Sequence, residues 1–133
     1  MAYTYYPYMI LLGDDSDFSL SQLADRLQVT FAKADAAVKL APHADTLTLV
    51  LNGAYRFTIT LNEGPSVLTE SAEMAGEATA NKSAIARCRR RLELSGDDDP
   101  GMDHFNDSVF ILETLETFRG LYVYSPHVGF IRD

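Results

Sequence analysis

The dipeptide Asn52-Gly53 constrains this chain more than any other feature. Leu47-Thr48-Leu49-Val50-Leu51 precedes it. After it Tyr55, Phe57, Ile59 and Leu61 alternate with Arg56, Thr58 and Thr60. Alternation with period two gives a strand one buried face and one wet face, and Asn-Gly supplies the positive φ angles of a type I′ turn. The passage predicts a β-hairpin over 47–61 in an antiparallel sheet covered on one side.

Helical spacing predicts the cover. Leu20, Leu23, Leu27 and Phe31 recur behind the capping-box spacing of Ser19-Leu20-Ser21-Gln22, giving a helix over 19–32. Pro65 suits the first turn of a second helix, whose stripe is Val67, Leu68, Ser71, Met74, Ala75 and Ala78. A short helical piece over 82–87 follows a kink near Asn81. Phe105, Val109, Leu112 and Leu115 mark a helix over 102–118, ended by Arg119-Gly120 as a cationic last turn and C-cap glycine.

Strands are predicted at 8–12, at 36–40 before Pro42, at 91–95 and at 121–124, with 128–131 returning beside the last. The order is β-α-β-β-β-α-β-α-β-(β). The expected fold is α+β: a mainly antiparallel sheet of about five to six strands with about three helices on one face. The chain has 133 residues. It carries no repeat and no internal linker, so 1–133 reads as a single domain.

Charge and cysteine content narrow the function. The net charge of −8 argues against nucleic acid, which needs clustered cations. Cys88 is the one cysteine, which leaves no internal disulfide and fits a reducing compartment. The longest aliphatic run, 9–12, falls far short of the ~20 residues that span a bilayer. The start has no signal-peptide pattern, so the expected location is the cytoplasm and no membrane partner is expected.

The last third is polarised. Residues 82–91 hold five basic side chains and no acid, whereas 93–116 hold eight acids and no Lys or Arg. Helix-start carboxylates explain part of this, with Asp99 as N-cap ahead of Pro100. Three consecutive aspartates exceed what capping needs, and crowded like charges steer cationic partners. The candidate partner-binding residues are Asp97, Asp98, Asp99, Asp103 and Asp107, with His104 among them. Arg87, Arg89, Arg90 and Arg91 could clamp a phosphate, but ion pairs with the nearby aspartates are the simpler expectation.

Other constellations are poorer. An EF-hand-like loop begun at Asp15 meets Leu20 and Arg26 where glycine and glutamate are required, so Asp14, Asp15 and Asp17 read as carboxylates near a helix N-terminus. His43, His104 and His127 lack metal spacing, and no cofactor loop occurs, so neither a metal nor a cofactor is expected. Cys88 with His104 is the most plausible nucleophilic pair. Flanking arginines favour a thiolate, but a strand extended back from 91 puts Cys88 on the face of Leu92 and Leu94 as packing. Tyr3, Tyr5, Tyr6 and Tyr8 suggest an N-terminal edge strand with alternate rings packed inward, or a homodimer seam.

The stretch Ile85-Ala86-Arg87-Cys88-Arg89-Arg90-Arg91-Leu92-Glu93-Leu94, followed by Asp97-Asp98-Asp99-Pro100-Gly101-Met102-Asp103-His104-Phe105-Asn106-Asp107, resembles small acidic bacterial α+β proteins of the immunity type or without assigned activity. The resemblance implies no catalytic motif. The leading expectation is a non-enzymatic interaction module, immunity- or inhibitor-like, whose acidic surface docks on a basic protein. The alternatives are a small hydrolase or transferase using Cys88 or His104, and a structural homodimer.

Overall fold

Asn52 and Gly53 adopt φ of 55° and 68°, and the turn they make joins β3 (Thr46–Leu51) to β4 (Tyr55–Asn62), as their sequence requires. This is a computed structural model, and it describes residues 5–40 and 45–132. Tyr3, Pro42 and His43 lie outside them. Before the hairpin come β1 (Tyr5–Leu12), α1 (Leu20–Thr30) and β2 (Ala36–Leu40). After it come α2 (Ser66–Ala75), α3 (Lys82–Ala86), β5 (Arg90–Gly96), α4 (Phe105–Leu115), β6 (Leu121–Ser125) and β7 (Gly129–Arg132).

The fold is α+β. Among the described residues seven strands form one sheet in the order β2-β3-β4-β5-β1-β6-β7, and every neighbouring pair is antiparallel. Ser19 caps α1 by accepting a hydrogen bond from Gln22 N–H at 3.2 Å. Asn81 sits at φ 57° ahead of α3, the kink expected there.

Helices cover both faces, not one. Ile10, Leu12, Leu92 and Leu94 pack with Leu23 and Leu27 of α1 and Ile111 and Leu115 of α4. Leu11 points the other way, into a second core with Ala75, Ala78, Ile85 and Cys88. The continuous apolar run of β1 is the cause, because a strand apolar on both sides needs cover on both. The α2–α3 excursion links β4 to its neighbour β5, so it is free to cross the face that α1 and α4 leave open.

Three further expectations change. Cys88 lies before β5 and on the face opposite Leu92 and Leu94. β1 is an inner strand between β5 and β6 over Met9–Leu12, whereas Tyr5 and Tyr8 pair with β5 alone, so the tyrosines belong to one end of a central strand and not to an edge strand. α4 ends at Leu115 without a basic last turn, and Gly120, at φ 70°, belongs to the approach to β6.

Candidate functional site

The antiparallel order gathers the N-terminal ends of β1 and β4 with the C-terminal ends of β5 and β6 at one end of the sheet. The loop between β5 and α4, residues 97–104, closes over that end. Asp99 organises it. The residue is 5% exposed, and its carboxylate accepts hydrogen bonds from Tyr6 O–H at 2.5 Å, Asp103 N–H at 3.0 Å and His104 N–H at 2.8 Å. The capping role expected of Asp99 is present, but it caps the turn before α4 rather than α4 itself, whose N-cap residue is His104.

Tyr6 is held from both sides. Its backbone sits at φ 55° in a bulge of β1 between Tyr5 and Tyr8, a strained setting for a bulky side chain. Its ring packs 5.7 Å from Phe57, and Tyr55 lies edge-on to Phe57 at 5.1 Å. A Cβ at Gly96 would meet Tyr55 Oη at 2.5 Å and Tyr6 Cδ2 at 3.0 Å, so only glycine fits where β5 passes these rings. Burial and the Asp99 hydrogen bond push the Tyr6 phenol well above its ordinary pKa. Burial and the carboxylates of Asp99, Asp97 and Asp98 do the same for Tyr55.

The five aspartates therefore divide. Asp99 is internal and leaves the set of residues a partner could touch. Asp97 is exposed but engaged: its carboxylate accepts Arg56 N–H at 3.0 Å, and its carbonyl accepts Tyr55 O–H at 2.6 Å. Asp107 holds His104, whose Nδ1 lies 3.0 Å from its Oδ2 while the ring stacks 3.8 Å from Tyr55. Asp98 and Asp103 are exposed and form no ion pair among the described residues.

Beside this loop runs an open groove of about 480 Å³, lined by Tyr5, Pro7 and Tyr8 of β1 together with Pro100, Met102 and Phe105. Val128 also lines it and is 79% exposed; Met102 and Phe105 stand at 49% and 47%. The sequence reading missed Met102, Phe105 and Val128 as surface residues. Helical spacing assigned Phe105 to the core, and Val128 was read as the first residue of the returning strand, which begins at Gly129. A wider groove of about 630 Å³ between α1 and α4 mixes Asp25, Arg26 and Glu113 around Val29 and Phe110, so its charges do not converge.

The arginines lie at the opposite end. Arg87 approaches Asp14 at 3.9 Å, and Arg89 and Arg90 line a polar cleft with Asp14 and Glu63. Arg91, nearly buried, pairs with Glu70 at 3.0 Å and Glu93 at 2.9 Å. The acids that answer these arginines are Asp14, Glu70 and Glu93, not the aspartates of 97–99, because β5 carries the chain away from them. Asp17 accepts Arg119 N–H at 2.7 Å, which holds its carboxyl below the usual range.

Cys88 and His104 do not meet. Cys88 is fully buried in the second core, where burial and then the Asp14 charge push its thiol up to about 11. His104 stacks on Tyr55 of the first core, across the sheet. Among the described residues no cluster of His, Cys, Asp and Glu has the form of a metal site, and no helix is long and apolar enough to cross a membrane. No family model, curated protein or solved structure matches the chain.

Proposed function

We propose that this chain is a non-enzymatic protein-binding module, of the immunity or inhibitor kind, that acts by stoichiometric docking of a basic partner in the cytoplasm. One observation carries the reading. Asp98 and Asp103, exposed and without cationic partners among the described residues, stand on the loop whose Pro100 and Met102 wall an apolar groove. Free carboxylates at a rim accelerate encounter, and apolar anchors in the groove supply the affinity. Chemistry at Cys88 has no comparable support, since a buried thiol with raised pKa is a poor nucleophile.

The test begins with capture of partners by the tagged chain at low and high salt, followed by association kinetics with the purified partner. The expected result is a basic protein that is released at high salt. Asp98→Asn together with Asp103→Asn should slow association several-fold and flatten its salt dependence. Association indifferent to salt and to both substitutions overturns the reading. A homodimer through the tyrosine stretch is the alternative, since Tyr5, Tyr6 and Tyr8 lie beyond the β1–β6 ladder; a clean monomer by light scattering at high concentration removes it.

A further inference from the structure

We propose that the groove takes an extended, proline-containing segment bearing an arginine or lysine, bound as a polyproline II helix; this rests on the docking reading above. The walls give the first reason. Tyr5, Tyr8 and Phe105 supply aromatic rings and Pro7 and Pro100 supply pyrrolidine rings. Flat aromatic-lined grooves of this kind suit the rigid ridges of a polyproline chain, which loses little entropy on binding.

The backbone beside the groove gives the second. The β1–β6 ladder begins at Met9, so Tyr5, Tyr6, Pro7 and Tyr8 run beyond it. There the bulge and the left-handed Tyr6 break the pleat, and Pro7 has no N–H to donate. A docked β-strand would find no ladder to join. A polyproline chain keeps its own backbone solvated and needs none.

Charge completes the argument. Asp98 and Asp103 flank Pro100 and Met102, so a cation on the segment would meet unneutralised carboxylates as its prolines enter.

The experiment titrates the isotope-labelled full chain with an octaproline peptide carrying one terminal arginine, read by amide chemical shifts. Matched peptides replace proline by alanine, or arginine by glutamate. Saturable shifts are expected at Tyr8, Phe105 and Val128, with binding at least about tenfold weaker for the alanine peptide and several-fold weaker for the glutamate peptide. Asp98→Asn with Asp103→Asn should weaken binding about fivefold without changing the urea midpoint. Phe105→Ser, at a half-exposed ring, should weaken it about tenfold. No shifts at the groove, or equal binding of the alanine peptide, overturns the proposal. If the peptide fails while a basic partner is still captured through Asp98 and Asp103, the polyproline segment falls and the docking reading stands. Capture indifferent to those aspartates removes both.

Discussion

Burial alone would raise the pKa of Asp99, yet the hydrogen bonds from Tyr6 and from the N–H groups of His104 and Asp103 outweigh it and hold the carboxyl below its ordinary value. Tyr6→Phe deletes the hydroxyl that faces this charge and should cost roughly 1.5–3 kcal/mol, measured by urea unfolding. A depressed native pKa means that the Asp99 contribution is complete above the unfolded value of about 3.9 and is lost as pH falls below it. Asp99→Asn should therefore flatten the acid limb of stability against pH. Tyr6 and Tyr55 have the opposite sign. Their raised native pKa values leave stability untouched below about pH 10, and it drains as pH climbs further. Tyrosinate absorbance from these two rings, taken as the difference from their Phe variants, should appear together with loss of circular dichroism. Appearance before unfolding would show that the rings are not enclosed. The sequence marked Asp99 as a cap because Pro100 follows it, but its burial was not legible, because the hydroxyl that faces it sits 93 positions away.

Elements governed by short-range rules were legible. The hairpin follows from alternation and Asn52-Gly53, and α1 follows from Ser19 and its apolar spacing. Gly53 has φ 68° and open space around its α-carbon, so Gly53→Ala should cost only the left-handed strain, about 1 kcal/mol, read as a lower urea midpoint with unchanged slope. The start of α4 was not legible. Met102 at φ 56° and the Asp99 hydrogen bonds make residues 99–104 a turn, although the apolar spacing runs straight into the helix. Met102 and Phe105, at and just after that turn, are exposed and line the groove. Likewise, the sequence showed that β1 is apolar throughout, but taking every helix to lie on one face ignored what a two-sided strand requires.

Across the whole molecule, β5 separates the charges. Seven residues at about 3.3 Å each place the arginine end roughly 20 Å from the acidic end, beyond the screening length at physiological salt. The two blocks that adjoin in sequence thus act as separate surfaces, and only the acidic one borders an apolar groove with free carboxylates. The sheet also divides two cores, with Tyr6 and Tyr55 reporting on one and Cys88 on the other. Labelling of Cys88 and near-ultraviolet dichroism of the tyrosines should change at the same urea concentration, because both cores share β1. Separate midpoints would show that α2 and α3 open independently of the rest.

The sequence by itself determined the α+β class, the antiparallel hairpin, α1 and the acidic excess after 93, because periodicity, turn geometry and charge count act over a few residues. Only the tertiary structure decided that helices cover both faces, that Asp99 is internal while Asp98 and Asp103 stay free, and that Cys88 and His104 lie across the sheet from each other. Each of these rests on pairing between strands remote in the chain, and local rules do not reach that far.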